Sequence, residues 1–247
     1  MKLLVNGCSF SAGSSMQGSV PWLWPEVISE NFSEVQNISK AGGSNDRILR
    51  TTMDFCKKNM EDYFVIIQWT SAFRHEYYSN QYGWMNITCN VGDNNLTQLT
   101  NESNKHNNTI EVTDENGNII ENKFLLDALN KEMLYLTSIN DYNIRYLKNV
   151  LTLQYYLDKN NIKYMFTSMN EQEHINVNLD AIYSKPTDVT IFEANLKKQL
   201  NKTNWSKQSL QTYMVENYIS QNDRHPNEKG NKLIAQALFE ELMEKHG

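Results

Sequence analysis

The chain has 247 residues, 40% of them hydrophobic and 21% charged, and a formal net charge of −6. That composition supplies one apolar core and excludes a disordered polymer. No Lys/Arg block stands out, which argues against a nucleic-acid partner held by charge, and no apolar run approaches the roughly 20 residues of a membrane span.

In chain order, Leu3-Leu4-Val5 is a short apolar run that reads as a buried strand. The start is too short for the apolar region of a secretion signal, so synthesis in the cytoplasm is expected. Residues 22–31, after Pro21, read as a helix, and residues 35–39 as a weaker strand. Ser44-Asn45-Asp46 can cap a helix running to about Asn59. Phe64-Val65-Ile66-Ile67 is a second apolar run. Residues 75–122 are rich in Asn, Thr and Gly without helical period and read as an insertion with short strands. Within it, residues 110–120 alternate around Asp114-Glu115-Asn116-Gly117, a hairpin signal. Residues 125–159 carry Leu147, Val150, Leu151, Leu153 and Leu157 at helical spacing and predict one long helix. Residues 162–167 are a further strand, 171–222 are poorly periodic pieces, and 233–243 form a last amphipathic helix. Strand then helix, repeated, predicts one α/β domain over 1–247 with a mostly parallel sheet.

Cys8, Cys56 and Cys89 are odd in number and far apart. That spacing argues against a disulfide scaffold or a zinc site. His174 with Glu171 or Glu173 lacks convincing metal spacing, and no Walker or dinucleotide glycine pattern occurs, so neither metal nor cofactor is expected.

Two short segments carry candidate chemistry. Gly7-Cys8-Ser9-Phe10-Ser11 follows the first strand, and open parallel sheets bind ligands beyond the carboxyl ends of their strands. Ser9 is therefore a candidate nucleophile; the alternative is an ordinary strand-end serine. Asn222-Asp223-Arg224-His225-Pro226-Asn227 precedes the last helix. A loop histidine near an aspartate suits a general base. The alternative is a surface histidine beside a helix start.

Together these segments resemble the first and last blocks of the SGNH (GDSL-like) hydrolases. Within 40–48, Gly43 matches the glycine of the second block. The third block is normally Gly-x-Asn-Asp; here Gln68-Trp69-Thr70-Ser71-Ala72-Phe73-Arg74 stands in its place, with Thr70 where the asparagine would be. The resemblance covers about residues 1–75, the long helix with the following strand, and 220–247. It implies a three-layer α/β/α sandwich and ester hydrolysis, with Ser9 attacking, His225 as base and Asp223 orienting it. The oxyanion donors would be the N–H groups of Ser9 and Gly43 and the Thr70 side chain. Thr70 could instead hold its loop, and Gly43 could simply lead into the capped helix. The usual Asp-x-x-His spacing is shortened here, since Asn222 stands three residues before His225. Asp223 serves if the loop turns it inward; otherwise a Ser-His dyad uses a carbonyl as orienter.

Arg74 is read as pairing with Glu76 rather than binding an anionic substrate. Trp22, Trp24, Trp69, Tyr77, Tyr78, Tyr82 and Trp84 flank the site or begin the insertion. Trp22 and Trp24 are expected to pack, and 77–84 to line a cleft suited to a carbohydrate ester. The expected partner is a small-molecule or glycan ester, with no nucleic acid and no membrane. The second reading is a non-catalytic glycan-binding or virion structural protein on the same scaffold, which leaves homo-oligomer or virion assembly open.

Overall fold

The computed structural model describes residues 1–15, 18–20, 22–59, 62–90, 109–135, 139–170, 188–214, 216–221 and 223–246. Its centre is a parallel sheet of β1 (Lys2–Asn6), β4 (Val35–Asn37), β5 (Tyr63–Trp69) and β9 (Tyr164–Ser168), in the order β4-β1-β5-β9. Two-residue strands β2 (Ser14–Ser15) and β3 (Gly18–Ser19) pair beside it.

The alternation of side chains along each strand sorts them onto two faces. Leu4, Val65, Ile67, Trp69, Tyr164 and Phe166 join one core, against α3 (Asn45–Lys58), α5 (Ile139–Lys159) and α6 (Asp188–Lys197). Leu3, Val5, Phe64, Ile66 and Met165 join the other, against α2 (Trp24–Ser29), α7 (Leu210–Met214) and α8 (Glu228–His246). Both faces of the central strands are covered, which is why they read as unbroken apolar runs. The result is the expected three-layer α/β/α sandwich.

Local chemistry sets the helix ends. Ser44 caps α3, its Oγ accepting from the Arg47 N–H at 3.1 Å. α2 starts two residues later than expected, because Trp22 has a left-handed φ of 66° and Leu23 is extended. Over the predicted 125–159 helix the described residues form α4 (Lys123–Tyr135) and α5, and residues 136–138 between them lie outside the described set.

The insertion forms its own antiparallel sheet, β6 (Arg74–Ser79), β7 (Gly83–Asn90) and β8 (Thr109–Thr113), in that order. The Asp114–Gly117 turn forms, with Asp114 Oδ1 accepting from the N–H groups of Asn116 and Asn118, each at 2.8 Å. Its return arm is a single bridge, Thr113 to Ile119, rather than a paired strand.

Behind this sheet, His75, Tyr77, Ile87, Leu129, Tyr142 and Arg145 help to line a cavity of about 300 Å³. The His75 ring stacks on Tyr142 with centroids 4.8 Å apart. Burial, with Arg145 adding to it, pushes the His75 imidazole down to about 3. A depressed histidine stays neutral in the native state while the unfolded chain protonates near its ordinary value of about 6.5. Stability is therefore expected to fall as pH drops below about 6.5 and on towards 3, by roughly 1 kcal/mol per pH unit. His75→Phe keeps the ring stack and should flatten that part of the pH profile. Urea midpoints measured at pH 7, 6 and 5 check this; equal slopes for variant and wild type would contradict it.

Candidate active site

The strand order reverses at β1, whose two neighbours are β4 and β5. Such switch points open a crevice at the carboxyl ends of the strands. Ser9 begins the one-turn helix α1 (Ser9–Ala12) just beyond β1, and Thr70 follows β5 next to it.

The Ser9 turn is fixed from below by Gln68, which is fully buried. Gln68 Oε1 accepts from the Cys8 N–H at 3.0 Å and from Ser11 Oγ at 3.1 Å, and its Nε2 donates to the Trp69 carbonyl at 2.8 Å. This packing needs a glycine at position 7. A Cβ there would lie 2.6 Å from Gln68 Oε1 and 2.9 Å from Ser11 Oγ. Gly7→Ala should therefore cost about 1–3 kcal/mol, read as a lowered urea midpoint, and should also misplace Ser9. A midpoint within error of wild type would refute this account of the turn.

The other half of the site comes from the loop before α8. Ile219 N–H donates to the His225 carbonyl at 2.9 Å, and Asn227 N–H to that of Asn217 at 3.0 Å, closing a narrow hairpin. Asp223 Oδ1 accepts from the His225 N–H at 3.1 Å, an Asx turn, and contacts His225 Nδ1 at 2.6 Å. The turn brings the carboxylate to the ring with one intervening residue, so the shortened Asp-x-His spacing is geometrically sufficient. Asn222 lies outside the described residues. His225 Nε2 stands 2.8 Å from Ser9 Oγ across 216 positions of chain. Phe10 packs on the imidazole at 5.1 Å, and Asp223 is buried.

The expected oxyanion donors differ in their state. Among the described residues the Ser9 N–H has no partner. The Gly43 N–H is bonded to the Lys40 carbonyl at 3.0 Å, so it closes its own turn here. A Cβ on Gly43 would lie 2.9 Å from that carbonyl and 3.5 Å from the Gly7 carbonyl, so the loop does pack beside the nucleophile turn. Thr70 is fully buried, and its Oγ1 accepts from Arg74 Nη1 at 3.0 Å. The expected Arg74–Glu76 pair does not form. Arg74 and Glu76 lie on the same face of β6, but Glu76 is taken by Arg50, with Nη2 to Oε1 at 2.8 Å and Nε to Oε2 at 2.9 Å, while Arg74 turns to Thr70.

Sequence reasoning missed two polar clamps, Gln68 and Asn45. Asn45 Oδ1 accepts from the Thr70 N–H at 3.0 Å, and its Nδ2 donates to the carbonyls of Thr70 and Ser71. It thus ties the Gly43 loop to the Thr70 loop. Cys8, beside the nucleophile, is a buried free thiol, as is Cys56. Burial works to raise the Cys8 thiol, but the Arg74 charge and hydrogen bonds from Thr70, the Phe10 N–H and Gln68 together leave it below the ordinary value.

The aromatic residues divide differently from expectation. Trp24 and Trp69 are core. Tyr77 faces the cavity behind the second sheet, Trp84 carries the Arg50 guanidinium at 4.2 Å, and Tyr78 is exposed. Trp22, expected to pack, is 57% exposed. Its neighbour Leu23 packs where a Cβ on Gly13, at the end of α1, would fall. Among the described residues no group of His, Cys, Asp or Glu clusters as a metal site would, and none of their helices is long and apolar enough to cross a membrane. Residues 171–187, which hold His174, Glu171 and Glu173, lie outside the described set.

No family model and no curated protein matches the sequence. Solved structures do match in shape. TesA is 12% identical and aligns over 98% of each chain with a TM-score of 0.50. EstA, a psychrotrophic esterase from Pseudoalteromonas sp., is 11% identical over 98% of this chain and 97% of its own, with a TM-score of 0.49. A member of the lipolytic protein G-D-S-L family from Veillonella parvula DSM 2008 is 12% identical over 97% of both chains, with a TM-score of 0.44. The fold is that of the SGNH (GDSL-like) hydrolases.

Proposed function

We propose that this chain is a serine esterase acting on a small or carbohydrate ester. The observation that carries the reading is the connected line Asp223 Oδ1–His225 Nδ1 at 2.6 Å and His225 Nε2–Ser9 Oγ at 2.8 Å. Nucleophile, base and orienter stand in hydrogen-bond reach, as acyl transfer requires.

In the first half-reaction Ser9 Oγ bonds to the ester carbonyl carbon as His225 Nε2 takes its proton. Asp223 accepts from Nδ1–H and stabilises the imidazolium. The tetrahedral oxyanion is met by the Ser9 N–H, while the buried Thr70 hydroxyl is held by Arg74 and turned to Cys8, so that it joins only if it leaves Cys8. Gly43 can join if its N–H leaves Lys40. Each such donor typically contributes about 2.7–4 kcal/mol. Collapse breaks the bond to the alcohol oxygen, which receives the proton from His225. A water then attacks the acyl-serine with His225 again as base, releasing the acid and restoring Ser9.

Support for a glycan ester comes from Trp22, an exposed ring held on a left-handed backbone. Backbone strain of that kind concentrates at binding sites, and an exposed indole is a sugar platform. An organic fluorophosphonate tests the esterase reading. A mass adduct on the Ser9 peptide, absent in Ser9→Ala, is expected together with turnover of p-nitrophenyl acetate. Neither adduct nor turnover by the folded protein would overturn it and favour a binding role.

A further inference from the structure

Arg74 is a cation that the mechanism uses through only one of its N–H groups. Arg74 is half-buried, and among the described residues its guanidinium bonds only Thr70, from Nη1 to Oγ1 at 3.0 Å. The carboxylate nearest in sequence, Glu76, is held by Arg50 on two hydrogen bonds. Among the described residues no carboxylate lies within ion-pairing distance of Arg74. Its remaining N–H groups form a planar fork, the shape that binds a carboxylate through two parallel hydrogen bonds.

Its position is set by backbone pairing. β1 and β5 run in register, with Asn6 opposite Ile67, so the residues after each strand, Ser9 and Thr70, lead out side by side. Asn45 fixes Thr70, and Thr70 receives Arg74. The guanidinium thus stands one hydrogen bond from a residue flanking the nucleophile. The reach of its charge to Cys8, next to Ser9, agrees. The whole chain carries a net charge of −6, which would repel an acidic substrate. A cation at the reacting edge reverses that sign locally.

We infer that Arg74 anchors a carboxylate on the substrate, so that the preferred ester carries an acid group on its acyl or its alcohol half. This rests on the esterase reading above and names the substrate class of the same site.

Two matched pairs of esters test it. Mono-p-nitrophenyl glutarate against p-nitrophenyl valerate places the acid on the acyl half. 3-Acetoxybenzoate against phenyl acetate places it on the alcohol half. Wild type is expected to favour the acidic member of at least one pair by about tenfold or more in kcat/KM. Arg74→Gln keeps a donor for Thr70 and should bring that ratio close to one, chiefly by raising KM for the acid. Arg74→Lys should restore part of it. Raising the salt concentration should shrink the preference in wild type. If Arg74→Gln fails to fold, inhibition of wild type by glutarate but not by glutaramide is the substitute measurement. No acid preference in either pair, or a preference that Arg74→Gln leaves intact, overturns the inference. Ser9→Ala separates the two readings: if it hydrolyses all four esters like wild type, the esterase reading itself fails.

Discussion

Ser9→Ala is expected to reduce kcat for p-nitrophenyl acetate by on the order of 10⁶-fold, as loss of a triad nucleophile does elsewhere. The chemistry requires it, because no acyl-enzyme forms without Oγ. Stability should barely change. Ser9 Oγ meets His225 Nε2 at 2.8 Å, but the His225 side chain is 17% exposed, so water can replace the lost partner. The turn itself is held by Gln68 through Cys8 and Ser11, not through the Ser9 hydroxyl. A urea midpoint equal to wild type beside abolished turnover is the expected pair of results. Retention of more than a hundredth of the rate would mean that another group attacks.

Asp223→Asn should lower kcat by about 10⁴-fold with KM little changed. Asparagine can keep the Asx turn, since its side-chain oxygen still accepts from the His225 N–H. What it lacks is the negative charge that stabilises the imidazolium and the acceptor-only character that keeps the proton on Nδ1. The substitution therefore separates the geometry of the short Asp-x-His loop from its electrostatics. A drop below tenfold would show that a carbonyl suffices and that the site is a Ser-His dyad.

Much of this was legible in sequence because it rests on local pattern. β1, β5 and β9 are buried on both faces and read as apolar runs, and Ser44 marks the start of α3. The two ends of the chain were legible because Ser9 and His225 each sit in a recognisable turn. The rest depends on contacts that leave no local trace. Gln68 lies in an apolar strand and looks like an exception to it; only the fold brings Cys8 and Ser11 to its amide, 60 and 57 positions away. Arg74 and Glu76 share a face of β6 and looked like a pair, yet Arg50 reaches Glu76 from α3 with two hydrogen bonds and Arg74 turns to Thr70. Trp22 reads as core by residue type, and its exposure follows from a left-handed backbone that composition does not reveal.

The 216 positions between hydroxyl and imidazole also govern when a ribosome's product becomes reactive. On the proposed mechanism, a nascent polypeptide halted anywhere before Asp223 holds the attacking group but no base. Ester cleavage is then expected only once residue 225 has been made, and a product truncated before it is expected to stay inactive however well its sheet has formed.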